Sequence, residues 1–426
     1  MIRSKSDLID KSYKYAASST TKNHIYILYK NRNGNYIFTS FNVATLKSNE
    51  IKGKLSRKLP IGKREIMNEV ACFYSYTKRV GYLYAINLKT GEQKGVPIKI
   101  NNVRAKKTVT EAFQILKKSN EIVVCLNTSF KLKKNHLYIQ RFNSNLEMLS
   151  TLKLTENVSQ SIVNVSVSEL NNGKLLLLGT FSGGSQARSE GIFISRLNNK
   201  EIEYLKFYNY SDFDKIYSYL SERKQEKIIR KRRRKERRGK HLNSSFRIEP
   251  HNAIILDDGY MFVGESYYPT YQHRTYSTYS ANGVYTTHSS NIFDGFQYTH
   301  AVLARFDKNG QFLWDEALPM WPFHKPFFVK KFISLAKQKQ SINMVFEDRS
   351  QIISATIDFD GNTLCQRMAN NIKTNAKGDY TRWTSSVIEH WYGNNFIVHG
   401  NQKIKNKKNS RLAKKRKVYF INKIEF

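Results

Sequence analysis

Residues 303–314 read LARFDKNGQFLW and residues 82–93 read YLYAINLKTGEQ. In each, an alternating apolar run ends in a large apolar residue, Phe306 or Ile86, followed at once by Asp307 or Asn87. Asp and Asn side chains fold back onto their own backbone and start tight turns, and the Gly that follows, Gly310 or Gly91, supplies a positive φ. Each stretch therefore predicts strand, tight turn, strand. The same junction recurs at Phe41-Asn42, Phe142-Asn143, Leu197-Asn198, Ile357-Asp358 and Ile421-Asn422, with intervals along the chain of 45, 56, 55, 109, 51 and 64 residues.

Upstream of these junctions lies a second hairpin, as in VSVSELNNGKLLLLGTF (165–181), HNAIILDDGYMFVGESY (251–267), FISLAKQKQSINMVFED (332–348) and VIEHWYGNNFIVHGN (387–401). Two hairpins per repeat make a four-stranded antiparallel sheet. Seven repeats of about 50 residues predict an all-β fold, a seven-bladed β-propeller forming one domain over 1–426. The long intervals hold three insertions: 210–248, read as a basic helix; 267–298, a Tyr-rich loop; and 401–416, a basic loop. They fall at two connection types that leave a propeller blade on the same side, so the helix and the long loops are expected on one face. A propeller closes its ring, commonly by lending a strand from the other terminus, which assigns Met1 to Lys14 to the outer edge of the last blade.

Two repeats carry more than the turn. Ala304, Asp307, Gly310 and Trp314 in the first quoted stretch, and Ala85, Asn87, Thr90 and Gly91 in the second, resemble the quinoprotein-type propeller repeat. In that repeat an Ala, an Asp, a Thr-Gly turn and a Trp dock one blade on the next. Ala304 is offset by one position, the second stretch has no Trp, and the other repeats keep only the Asx turn. The family includes quinone-dependent dehydrogenases and a non-catalytic scaffold of outer-membrane protein assembly. The chain has neither a vicinal cysteine pair nor a calcium-type acidic cluster, so the resemblance implies the scaffold branch and no cofactor.

Net charge is +37, from 71 Lys and Arg against 34 acids. A balance of that sign points to a polyanionic partner. Lysine, Asn, Ile and Tyr are all frequent, so compositional drift explains part of the excess. It does not explain its concentration. Arg223 to Lys240 holds twelve cations against Glu226 and Glu236, and Lys403 to Lys417 adds nine with no acid, together +19. Phe213, Ile216, Tyr217 and Leu220 precede the first run at helical spacing and predict an anchored helix that stops near Gly239. The candidate binding cations are Arg230, Arg232, Arg233, Arg234, Arg237, Arg238, Lys405, Lys408, Lys414, Lys415 and Arg416; a solvated basic loop or an import-type signal would carry the same residues. In the second insertion Tyr267, Tyr268, Tyr271, Tyr276 and Tyr279 stand in a Gly/Ser/Thr background, where tyrosines offer rigid contact area to a protein or stacking surfaces to bases. A self-packed plug is the other reading.

Chemistry is harder to find. Cys72, Cys125 and Cys365 are scattered in apolar runs and read as buried thiols rather than a disulfide or metal set. His273, His288, His300 and His324 have no metal-ligand spacing. Asp307 and Asp358 belong to turns. Glu265 and Glu347 end apolar strands and could face a channel, but one pair makes no active site. The longest aliphatic run, Leu175 to Leu178, cannot span a membrane, and the N-terminus has no apolar leader core. That reads as cytoplasmic for a full-length chain, and as periplasmic or outer-membrane-associated if a leader has been removed. The expectation is a non-enzymatic scaffold that docks an acidic protein partner or assembly through a basic, Tyr-rich face. A nucleic-acid-binding propeller is the alternative, and an enzyme with converging carboxylates at the channel mouth is the third reading.

Overall fold

The computed structural model describes residues 12–426 apart from 21–22, 43, 46, 56–63, 68–69, 77–79, 105–106, 129–134, 157, 185–187, 240–241, 243, 280–281, 350, 373–377 and 407–413. The chain is all-β, and its strands form consecutive antiparallel sheets, most of them four-stranded. In the first sheet β1 (Lys14–Thr20), β2 (His24–Lys30), β3 (Asn35–Asn42) and β4 (Ser48–Lys54) pair in chain order. The second is β5 (Arg64–Met67), β6 (Val70–Tyr76), β7 (Gly81–Asn87) and β8 (Gln93–Ile98). The third is β9 (Thr108–Leu116), β10 (Glu121–Thr128), β11 (His136–Asn143) and β12 (Met148–Lys153), and the fourth β13 (Ser161–Glu169), β14 (Leu175–Ser182), β15 (Gly191–Asn198) and β16 (Glu201–Asn209).

The fifth sheet is larger: β17 (Arg247–Pro250), β18 (Ile254–Ile255), β19 (Gly259–Tyr279), β20 (Tyr285–Asp307) and β21 (Phe312–Pro319), with β17 and β18 both paired to β19. The sixth is β22 (Ser334–Lys337), β23 (Ser341–Asp348), β24 (Gln351–Asp358) and β25 (Thr363–Asn371). The last has three strands among the described residues, β26 (Asp379–Tyr392), β27 (Asn395–Asn406) and β28 (Lys415–Glu425). No helix among the described residues is long and apolar enough to cross a membrane.

The chain divides into two compact units, one of Met1–Leu177, Ser182–Gln186 and Ser195–Leu205, the other of Leu178–Phe181, Ala187–Ile194 and Lys206–Phe426. In the first unit, one apolar cluster joins Leu28 and Phe38 of the first sheet to Phe73 and Ile86 of the second. A further cluster joins Leu83 of the second sheet to Phe113, Ile122 and Val124 of the third. The second unit repeats the arrangement. Val263 and Leu303 of the fifth sheet meet Met344 and Ile353 of the sixth, and Val345 and Ile352 of the sixth meet Phe396 and Val398 of the last. Alternation along each strand presents one apolar row to each neighbouring sheet, and each such buried side chain contributes about 1.5–3 kcal/mol.

The Asx turns align these sheets. The Asn87 Oδ1 accepts from the amides of Lys89 and Thr90 at 2.8 and 3.1 Å. Asp307 and Asp358 hold their turns the same way, accepting from Asn309 and Gln311, and from Asp360 and Asn362. The preceding sheet lands on the turn. The Trp314 indole donates to the Phe359 carbonyl at 3.0 Å, and Gly361, at φ +90°, sits so close that a Cβ there would lie 2.9 Å from the ring. Ile51 meets Gly91 in the same manner, and the Tyr208 hydroxyl donates to the Gly310 carbonyl at 2.7 Å.

Four expectations need correction. Ile421-Asn422 is not a turn, because β28 runs through it with Asn422 paired to Val398 and Ile424 to Phe396; the ladder takes the backbone groups a turn would need. Phe213, Ile216, Tyr217 and Leu220 do not lie on a helix. Tyr210–Asp212 is a 3-10 turn, further turns follow, and the α-helix α1 spans Glu222–Glu236 alone. The reason is Asp315 on β21, whose two carboxylate oxygens accept the amides of Asp214 and Lys215 at 2.9 Å each and bend the chain onto the sheet. Residues 267–298 are not a loop but the outer halves of β19 and β20, paired from Tyr267–Tyr298 out to Tyr279–Tyr285. The insertion at 401–416 is likewise extended where it is described, with Asn401–Lys405 paired to Lys415–Tyr419. The strand assigned to Met1–Lys14 falls outside the described residues as far as Lys11; Lys14 itself opens β1, paired with Lys30.

Candidate functional site

The second unit gathers its decorations at one end of its sheets. The Tyr-rich ribbon leaves β19 and β20 beyond Tyr267 and Tyr298, the β21–β22 connection begins beside His300, and residues 210–246 return there through the Ser189–Phe246 bridge. The Asp348 carboxylate, at the far end of β23, accepts the Phe323 amide at 2.8 Å. Beneath these elements lies a buried polar layer.

Glu265 anchors it. The residue is fully buried on β19 and sits opposite Glu249 of β17 and Ala301 of β20. Its carboxylate accepts from His251 Nε2 at 2.8 Å, from the Ile333 amide at 2.8 Å and from the Phe332 amide at 2.9 Å. A buried carboxylate persists only with such partners, and here it ties the start of β22 to β19. The Tyr298 hydroxyl continues the clamp, donating to the Lys330 carbonyl at 2.5 Å and accepting from the Lys330 amide at 2.9 Å. Burial raises the Tyr298 phenol well above its usual value, which keeps it a donor.

Glu347 of β23 and Lys330 complete the layer. Burial pushes the Glu347 carboxyl up to about 7, helped by the Asp348 charge and opposed by the Ser386 hydroxyl and by Lys330. Lys330 is lowered by burial, with Glu347 and Glu265 opposing. His324 is lowered too, by burial first and by Lys330 second. His300 is different. It is fully buried, Nδ1 lies 2.8 Å from the Thr299 hydroxyl, and Tyr219 stacks on the ring at 3.7 Å between centroids. Burial lowers it to about 3, so the imidazole is neutral, and its Nε2 has no partner among the described residues.

Above this layer the side chains are exposed. No residue of α1 is buried. Arg230 pairs with Glu226, and Arg232 with Glu236 while it also donates to the Phe213 carbonyl at 3.3 Å. Arg233 and Arg234 lie in the last turn, Arg237 caps it and Arg238 follows. On the basic ribbon Lys405 faces Lys415 across the ladder, Lys414 offers its carbonyl to the Asn406 amide, and Arg416 is committed to buried Asp379 at 2.5 Å. Lys240, Lys407, Lys408 and Arg411 lie outside the described residues.

The tyrosines divide. Tyr267 is half-buried, packed edge-on to Phe296 and against Tyr298, whereas Tyr268, Tyr271, Tyr276 and Tyr279 are exposed. Tyr276 stacks on His288 and Tyr271 meets Phe293 edge-on. Sequence reasoning passed over Trp321, Phe323, Phe327 and Phe328, all exposed. Their signal was there: WPFHKPFF at 321–328 packs aromatics between prolines outside any periodic strand.

Among the described residues no three His, Cys, Asp or Glu side chains group as metal ligands. A cavity of about 430 Å³ lies between the fifth and sixth sheets, walled by apolar residues such as Leu318, Met320, Met344 and Phe346. Its carboxylate, Glu316, is occupied by Lys215 at 3.1 Å and by the Ser218 hydroxyl at 2.9 Å. Glu265 and Glu347 do not line it.

No protein-family model and no curated protein matches the chain. Solved structures similar to it include the β-propeller domain of the Trilobed protease from Pyrococcus furiosus, at 8% identity and a TM-score of 0.42 over 98% of this chain and 96% of that one. The polysaccharide lyase Uly1 aligns at 8% identity and 0.45 over 96% and 89% of the two chains, and the Dos1 propeller at 8% and 0.43 over 91% and 75%.

Proposed function

We propose that the seven sheets are blades of a single seven-bladed β-propeller and that the chain is a non-enzymatic docking protein. Its partner is an acidic protein surface, engaged by α1 and by the Tyr-rich ribbon that leaves the same end of the second unit. The observation that carries this reading is α1 itself: a helix with nine cations against three acids and not one buried residue. Such a helix adds almost nothing to a core, and its like charges repel unless an anion is supplied. The residues below it fit a supporting role. Glu265 accepts from three donors, and neither Glu347 nor Lys330 lines the cavity, which supports a structural reading of both.

The test is capture of an acidic peptide, poly-glutamate as the first probe, by the chain and by a variant with Arg230, Arg232, Arg233, Arg234, Arg237 and Arg238 changed to Gln. The reading expects binding that weakens with salt and is lost in the variant. Equal capture by both would overturn it. The arginine richness of α1 favours one second reading, since guanidinium groups match phosphate in a bidentate manner. Binding to arbitrary single- or double-stranded nucleic acid with a steep salt slope, in preference to poly-glutamate, would select that alternative.

A further inference from the structure

We infer that the β21–β22 connection is an interfacial anchor that seats its aromatic side chains in the headgroup region of an anionic bilayer. This rests on residues that the docking proposal does not use. Within eight residues, Trp321, Phe323, Phe327 and Phe328 are 45%, 67%, 70% and 68% exposed. Isolated exposed aromatics are ordinary, but four on one connection within eight residues mark a binding surface.

The exposure is enforced by the fold. The Phe296 amide donates to the Pro326 carbonyl at 2.8 Å, Gln297 Nε2 donates to the Pro322 carbonyl at 3.0 Å, and Asp348 holds the Phe323 amide. Pro322 and Pro326 are themselves buried and fix φ on both sides of Phe323-His324-Lys325. A segment nailed down at four points, counting the Tyr298 clamp on Lys330, cannot collapse to hide its rings. Phe327 meets Phe293 edge-on, and the Arg349 guanidinium lies 4.1 Å from the Phe323 ring centre.

Charge selects the occupant. Residues 320–333 hold Lys325, Lys330 and Lys331 and no acid. Of the carboxylates that reach the segment, Asp294 is held by Lys325 at 3.0 Å, Asp348 by the Phe323 amide and Glu265 by the Phe332 and Ile333 amides. Aromatic rings beside lysine and arginine suit the membrane interface, where the rings enter the acyl boundary and the cations meet lipid phosphate. A protein groove would take the rings equally well but gives no reason for a stretch of three lysines and no acid beside them on a chain of net charge +37.

The experiment is co-sedimentation of the full chain with vesicles of phosphatidylcholine alone and of phosphatidylcholine mixed with phosphatidylglycerol. The expected result is binding to the mixed vesicles, a drop of about tenfold or more in partition for Phe323→Ser/Phe328→Ser, and an unchanged melting temperature. A second readout needs no surface disruption: brominated lipid should quench tryptophan emission of the native chain more than that of Trp321→Phe. Equal partition of the double variant, no binding to either vesicle, or a self-associated chain that the double variant returns to monomer would each overturn the inference.

Discussion

β19 and β20 form one ladder, stepped by irregularities at Ser266/Tyr267 and Pro269/Tyr271, with two unlike halves. From Gly259 to Ser266, and from Tyr298 to Phe306 opposite, every residue is buried; from Tyr271 to Tyr279, and from Tyr285 to Ile292, every residue is exposed. Backbone pairing is equivalent along both halves, so the ladder itself cannot explain where stability resides. The inner half is stabilised by the rows of side chains it shares with neighbouring sheets. The outer half has open edges on both sides and persists because the inner half sets its register. One hairpin therefore serves as core at its base and as a reaching element at its tip.

The comparison can be broken most severely at the base. Replacing Glu265 with Ala leaves His251 and the Phe332 and Ile333 amides without their acceptor, and a loss of about 3–5 kcal/mol in urea unfolding is expected. Leu303→Ala, in the same half, opens a cavity and should cost about 3 kcal/mol. Tyr276→Ala at the tip should fall within about 0.5 kcal/mol of the native chain while reducing partner capture. A tip substitution as costly as Leu303→Ala would mean that the ribbon is packed against something and is no free arm.

Protonation sharpens the same contrast through two desolvated groups, His300 in the inner half of β20 and Glu347 on the adjoining sheet. Glu347 holds its proton up to about 7 in the folded chain against a usual 4.5, so stability should fall as pH rises through that window and level off above it. Glu347→Gln removes this slope and is expected to exceed the native chain in stability above pH 7. His300 runs the other way: held near 3 against a usual 6.5, it lowers stability as pH falls across that range. Unfolding midpoints measured against pH for the native chain and for Glu347→Gln would check both slopes. Deleting Arg223 to Lys240 should change the midpoint least of all, and loss of cooperative unfolding after that deletion would refute the surface role given to α1.

The turns show how much local chemistry alone can reveal. An Asx residue closes its own turn through amides two to four residues away, so Asn87, Asp307 and Asp358 announce their geometry without reference to any other part of the chain. Strand alternation is equally local, and from these two signals the order and type of the sheets could be read directly. Distant neighbours decided the rest. Phe213 and Ile216 are spaced like a helix face, yet Asp315, about a hundred residues later, captures the adjoining amides and makes a bend. The Gly/Ser/Thr background of 271–292 lacks any apolar row and reads as a loop, because the register that makes it a ribbon is imposed from the buried base. Glu265 and Glu347 were visible as strand-end carboxylates, but that both would act on Lys330 depends on how two sheets stack. Local chemistry was thus written in the sequence, while partnership between residues far apart in the chain was set by the packing of one sheet on the next, since only that packing fixes which buried charges and rings must answer one another.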